Sequence, residues 1–202
     1  MKKLLLFCLG CALATSATAQ TEKGARFIGA NVGNLSYSHE YSRRSFSAAL
    51  APTAGLFLTD KLLVGSEVQI GYRMLRSRSR NSGVSDYRSR VFDYGIAPVA
   101  RYYFYGSGSH RLFGQLSAGM FWVNTRSNDN LYGSTSTGRT QRYTKAGMAL
   151  GYNYLLTPGA ALEITAGYSH TSSLYAFNTG FVDVRAGFAV FLPSKSAAAS
   201  AN

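Results

Sequence analysis

Wherever this chain alternates like a strand, its charges keep to one side. Glu67 and Arg73 lie an even number of residues apart, as do Asp93 and Arg101, and Asp183 and Arg185. Strand side chains point alternately to the two faces, so even spacing places each pair on the same face. The opposite set, Leu62, Val64, Val68, Ile70, Tyr72 and Met74, carries no charge. A charge on the lipid face of a membrane strand costs roughly 2–4 kcal/mol at mid-depth, whereas a lumen accommodates one. The pattern predicts an all-β fold, an eight-stranded antiparallel transmembrane up-and-down β-barrel, apolar outside and charged within.

Eight segments carry the alternation: Ala25–Ser36, Ser45–Leu58, Leu62–Arg76, Arg88–Tyr105, Arg111–Thr125, Gln141–Leu156, Ala161–Ser172 and Thr179–Leu192. Their connections alternate in length. Thr59–Lys61, Gly106–His110 and Thr157–Ala160 are short and made of turn residues. Tyr37–Arg44, Ser77–Tyr87, Arg126–Thr140 and Ser173–Asn178 are generally longer and polar. Short turns on one rim and long loops on the other are the arrangement of bacterial outer-membrane barrels, the short rim being periplasmic. Tyr102–Tyr105, Tyr152, Tyr154 and Phe57 gather near the short turns, and Trp122 and Tyr168 lie toward the other rim. That distribution predicts two aromatic girdles at the water–lipid boundaries. Pro52 and Pro98 fall inside strands of a sheet with no free edge, and predict a bulge at each.

Residues 1–19 read as a cleaved signal peptide, with Lys2 and Lys3 as its basic head, Leu4–Ala14 as its apolar stretch and Ala17-Thr18-Ala19 as its cleavage site. The apolar stretch is shorter than the about 20 residues a spanning helix needs. Residues 20–192 are then the barrel, and the Ser/Ala-rich 193–202 a disordered tail. Both cysteines, Cys8 and Cys11, fall in the signal, so the exported chain must hold together without disulfides. The expected location is the outer membrane of a Gram-negative bacterium. With 21 Lys and Arg against 9 Asp and Glu, the net charge of +12 suits an anionic partner. For an exported chain that partner is anionic lipid or lipopolysaccharide phosphate and not nucleic acid.

Eight strands enclose a space that side chains fill, not an aqueous pore. Into it point eight glycines, Gly65 and Gly187 among them, together with four acids, Glu67, Asp93, Glu163 and Asp183, and four bases, Arg73, Arg101, Lys145 and Arg185. Buried charges destabilise unless paired and hydrogen-bonded. The expectation is an internal salt-bridge network with Gln69, Gln115 and Asn153 filling gaps, serving as a polar plug.

The stretch Ile96-Ala97-Pro98-Val99-Ala100-Arg101-Tyr102-Tyr103-Phe104, then a Gly/Ser turn and Leu112-Phe113-Gly114-Gln115-Leu116, resembles the outer-membrane protein β-barrel family of small OmpX/OmpA-type barrels. A signal ending Ala-Thr-Ala-Gln is similar to that of its Bacteroidetes members. The resemblance implies a barrel over nearly all the exported chain, inserted by the barrel-assembly machinery. Family strands commonly finish on an aromatic terminal residue; here Phe191 and Leu192 are followed by the tail.

Chemistry is sparse. His39, His110 and His170 stand apart, with no metal-ligand spacing and no phosphate-cradling loop, so no metal or cofactor is expected. His170 and Ser172 share an outward face near the outer rim. A hydroxyl beside an imidazole there resembles lipid A 3-O-deacylase, an eight-stranded barrel enzyme that adds an acid on the next strand. The nearest acid, Asp183, is in phase with Arg185 and points inward. The long-loop rim is rich in arginine. Arg76, Arg78 and Arg80 alternate along one side, with Arg88, Arg90, Arg43, Arg44, Arg126, Arg139 and Arg142 on the same rim. Arginine forks match phosphate bidentately, which predicts a lipopolysaccharide-binding rim. The reading is a monomeric, non-catalytic barrel serving surface structure, adhesion or envelope integrity. A soluble lipocalin-like ligand-binding barrel is the inverted alternative, with large apolar residues crowded inside and eight glycines outside, which packs poorly.

Overall fold

A period of two over each segment, with turn residues between them, gives strands throughout. The structure, a computed structural model, describes residues 21–40, 43–77, 87–129, 134–173 and 176–194. The expected signal peptide, Arg78, Arg80 and residues 195–202 of the expected tail lie outside the described residues. Pro193 and Ser194 are placed, and Ser194 is buried. The elements are β1 (Arg26–Glu40), β2 (Arg43–Phe57), β3 (Leu62–Ser77), β4 (Tyr87–Ser107), β5 (His110–Asp129), β6 (Ser134–Thr157), β7 (Ala160–Ser173) and β8 (Ala176–Leu192). Each pairs antiparallel with the next, and β8 returns to β1, closing the barrel.

Through the strand bodies, even-numbered residues face out and odd-numbered residues face in. One apolar residue from each strand illustrates the outer surface: Ile28, Leu50, Ile70, Ile96, Leu116, Leu150, Ile164 and Val184 are 40–67% exposed. The outward charges in the described strands are all arginines at the ends: Arg26 by the short turns, and Arg44, Arg76, Arg88, Arg90, Arg126 and Arg142 toward the other rim. Between them runs an uncharged belt.

The closed end is apolar. Phe27, Phe57, Tyr103, Phe113 and Phe191 meet inside the short-turn rim with Leu63 and Leu155. Phe27 and Phe191 rings lie 5.4 Å apart, Phe57 and Tyr103 5.6 Å, and Tyr103 and Phe113 5.2 Å. Two residues expected in the lower girdle therefore belong elsewhere: Phe57 and Tyr103 are odd-numbered and buried, and form an internal plug. Tyr102, Phe104, Tyr105 and Tyr154 do face out.

The prolines produce no bulge. Pro52 pairs with Ala30 and Pro98 with Ser66 in unshifted register. The ladders skip these residues only on their other side, resuming at Thr53↔Glu67 and Val99↔Ser117. A missing N–H removes one rung and need not insert a residue. The expected loop 126–140 is largely ribbon, with Ser127↔Ser136 and Asn128↔Thr135 in register. Polar residues on both of its faces hide the period of two there.

A bulge occurs in β1 instead, between Gly33 and Ser36, where Asn34 has φ 51°. Ser47 Oγ donates to the Asn34 carbonyl at 2.8 Å, and the Ser36 and Ser47 hydroxyls lie 2.9 Å apart, tying the bulge to β2. The β1–β8 ladder runs from Arg26↔Leu192 to Gly33↔Arg185 and stops, although both strands continue. An extra residue bends and twists its strand, and here it turns β1 toward β2 and away from β8. The left-handed region costs a β-branched residue about 1–2 kcal/mol, and glycine nothing. Asn34→Val should therefore destabilise the barrel by about that amount and Asn34→Gly by less than about 0.5 kcal/mol, read from urea midpoints in lipid vesicles.

Candidate functional site

Three levels follow one another along the lumen above the aromatic plug. At the lowest, Arg101 and Glu163 are each about 1% exposed and pair through two bonds, Nη1–Oε2 at 2.6 Å and Nη2–Oε1 at 3.1 Å. Gln115 Oε1 accepts from Arg101 Nε and Nη2 at 3.1 and 2.7 Å, and Asn31 Nδ2 donates to Glu163 Oε1 at 2.8 Å. The guanidinium carbon lies 4.0 Å from the Phe113 ring centre and 4.7 Å from that of Phe27. Gly151 makes room for Phe113, since any side chain there would meet its ring.

The middle level belongs to Arg185, whose Nη1 reaches Glu67 Oε1 at 2.9 Å and whose Nε reaches Asp183. Glu67 also accepts from Gln69, and Gln69 Oε1 accepts from Lys145 Nζ at 2.9 Å. One arginine thus holds two acids, and a glutamine relays to the lysine. Asn153, expected in this network, is buried, yet both its amide atoms lack a hydrogen bond to the described protein atoms. Its register partner is Glu163, but the bonds to that carboxylate come from Arg101 and Asn31.

The upper level is open, where a filled lumen was expected. A cavity of about 590 Å³ reaches the long-loop end. On β1, β2 and β3 several inward positions around it are small, Gly33, Ser47, Ala49 and Gly71 among them, and leave that side of the bore unfilled. Arg73, Asp93 and Lys145 line it. Among the described residues neither Arg73 nor Asp93 makes an ion pair within 4 Å. The eight charges predicted for the lumen do face inward, but they divide into two bonded clusters and an upper pair that is not joined.

His170 and Ser172 are exposed on the outer surface of β7, whereas Asp183 is buried in the lumen against Arg185. The barrel wall separates them, so His170, Ser172 and Asp183 do not form a His–Ser–acid arrangement. Among the described residues no cluster of three or more His, Cys, Asp or Glu side chains is placed to hold a metal.

At the rim, strand register assembles the arginines. Arg44, Arg76 and Arg88 are successive cross-strand partners on β2, β3 and β4, and Arg90 pairs with Arg126 across β4 and β5. All are exposed and outward-facing. Like charges directly opposite on neighbouring strands destabilise a sheet unless something anionic lies between them. None of the described register partners of these arginines is an acid. Below them Tyr94 stacks on Trp122 with ring centres 5.6 Å apart.

Sequence reasoning missed the plug, the cavity and the open seam. Parity could have found the plug, because Phe27, Phe57, Tyr103, Phe113 and Phe191 are all odd-numbered. No family model matches the chain, and no curated protein matches it in sequence. Among solved structures it is similar to the outer-membrane protein OprG of Pseudomonas aeruginosa, at 15% identity over 87% of this chain and 100% of that one, TM-score 0.47. It is also similar to the attachment invasion locus protein Ail of Yersinia pestis, at 16% identity over 84% and 99%, TM-score 0.42. Another is the outer-membrane enzyme PagL, at 11% identity over 83% and 99%, TM-score 0.37.

Proposed function

We propose that this chain is a non-catalytic outer-membrane barrel of a Gram-negative bacterium, serving surface structure, adhesion or envelope integrity, whose outward arginines hold lipopolysaccharide phosphates. The observation that carries the reading is the outer surface itself. An uncharged apolar belt on all eight strands ends, at the long-loop side, in arginines set directly opposite one another. In water such a belt would far exceed the few hundred Å² of contiguous apolar surface that monomers tolerate. In hydrocarbon it is at equilibrium, and phosphate oxygens at the leaflet boundary accept bidentate bonds from neighbouring guanidinium groups. Export through a cleaved signal, insertion by the barrel-assembly machinery and a monomeric state complete the proposal.

The test is expression in a Gram-negative host, flotation of the membrane fraction and lipopolysaccharide assay of the purified barrel. The chain should float with outer membrane, and its folded form should migrate differently before and after boiling. Arg44→Ser, Arg76→Ser and Arg88→Ser together should lower bound lipopolysaccharide at least about threefold, since each lost hydrogen bond to a charged group is worth about 1.5–3 kcal/mol net of its exchange with water. Unchanged lipid content in the triple variant refutes the arginine reading; a chain left in the soluble fraction refutes the membrane reading.

A further inference from the structure

Above Gly33↔Arg185 no rung joins β1 to β8 among the described residues, and residues of both strands there, Asn34 to Ser36, Thr179 and Phe181, line the upper cavity. We propose that cavity and unjoined seam together form a lateral site for a single-chain amphipathic anion. Its carboxylate or phosphate head is held at Lys145 and Arg73, and its chain lies through the seam into the outer leaflet. The inference rests on the membrane placement argued above.

The seam is real backbone geometry. β1 continues for Asn34–Glu40 and β8 begins at Ala176, yet no rung joins them above Gly33↔Arg185. Arg185 helps set the limit: a side chain on Gly33 would come within 2.8 Å of Arg185 Cγ, so the two strands meet there through glycine alone. Lipid-exposed strand edges are not tolerated in hydrocarbon unless they line a cavity or are covered. Three large apolar side chains beside this edge are exposed. Val182, Leu35 and Tyr37 are 74%, 73% and 70% exposed, the highest values among the large apolar residues described.

The cavity behind it has the size and chemistry of a ligand site. About 590 Å³ falls within the roughly 300–1,000 Å³ of small-molecule pockets, which are mostly apolar with a few fixed polar groups. Val91, Val123 and Phe181 supply apolar wall, and Leu35, on β1 just above Gly33, extends it toward the seam. Three inward cations line it, Arg73, Lys145 and Arg185, with the outward Arg142 at its edge, and Asp93 is its one carboxylate among the described residues. Arg185 is committed to Glu67 and Asp183. Lys145 donates to the neutral Gln69 and lies 5.1 Å from the Phe181 ring centre and 5.5 Å from that of Phe121. An anionic head therefore finds a cation, and the apolar wall beside it selects an attached chain over free phosphate. The Arg101–Glu163 pair and the aromatic plug close the floor, so a ligand leaves sideways or outward and not across the membrane.

The full chain, in phosphatidylcholine vesicles, is irradiated with a diazirine analogue of palmitate and the adducts are mapped by mass spectrometry. Labelling is expected on inward-facing Val91, Val123 or Phe181 as well as on lipid-facing residues such as Ile164. Arg73→Ser with Lys145→Met should cut the inward labelling at least tenfold and spare Ile164; so should replacing the acid by the matching diazirine alcohol on the unaltered chain, which needs no variant to fold. Tyr37→Cys with Val182→Cys, in a Cys8→Ser, Cys11→Ser chain, allows the seam to be bridged by a short bis-methanethiosulfonate. The bridge should suppress inward labelling, and reductant should restore it. Labelling confined to lipid-facing residues, equal labelling by acid and alcohol, or indifference to the bridge would overturn the proposal. Flotation of the same vesicles reports separately on membrane placement.

Discussion

Replacing Arg101 by Met should lower the unfolding free energy by about 3–5 kcal/mol, the cost of stranding a buried charge. Glu163 would lose both guanidinium bonds and keep only the Asn31 amide, while remaining about 1% exposed. Gln115 Oε1 would lose both of its donors. The two rings that sandwich the guanidinium, Phe27 and Phe113, would face a thinner side chain and a partial void. The companion variant decides what the pair contributes. Apolar replacement of a whole buried ion pair is often neutral or stabilising, so Arg101→Met with Glu163→Leu should recover most of the loss. Guanidinium or urea unfolding in vesicles, followed by the heat-dependent gel shift, measures both. A single variant within about 1 kcal/mol of the parent would mean that water reaches this level and screens the pair.

Much of the barrel was legible because a period of two needs no tertiary information. Glu67, Asp93, Arg101 and Asp183 could be placed inside from spacing alone, and Val64, Ile70 and Ile164 outside, because one residue of slippage would put charges in lipid. The three short turns were legible from Gly108, Pro158 and their neighbours. What parity cannot say is which inward groups touch. Arg185 holds two acids, whereas Asp93 makes no ion pair among the described residues, a result set by barrel stagger and side-chain reach. Nor can it see the seam. Closure of β8 on β1 joins residues more than 150 apart in the chain, and its failure above Gly33 traces to one bulge at Asn34 with two serine hydroxyls holding it. The cavity follows from Gly33, Ser47, Ala49 and Gly71 clustering on adjacent strands, which single-strand reading treats as unrelated small residues.

Orientation is open to a direct energetic test. Ile164→Arg should destabilise the barrel by about 2–4 kcal/mol in lipid vesicles if that residue lies near the bilayer midplane. Ile164 is 55% exposed, the fifth residue of β7, with Tyr152 and Ala186 as its register partners. Its substitution creates no cavity and breaks no side-chain bond. In a soluble barrel the same change would be an ordinary surface substitution, within about 0.5 kcal/mol either way. Leu192→Arg is the internal control. It lies at the last position of β8, beside Arg26 in register at the short-turn rim, where an arginine on the lipid face costs only about 0–1 kcal/mol, to which repulsion from the facing Arg26 adds about 0.2–1 kcal/mol. A depth-dependent difference between the two variants is therefore the signature of hydrocarbon around the belt, and equal small effects would place the belt in water. The comparison depends on neither ligand nor loop. It weighs the same uncharged even-numbered face that the alternation of this chain first defined.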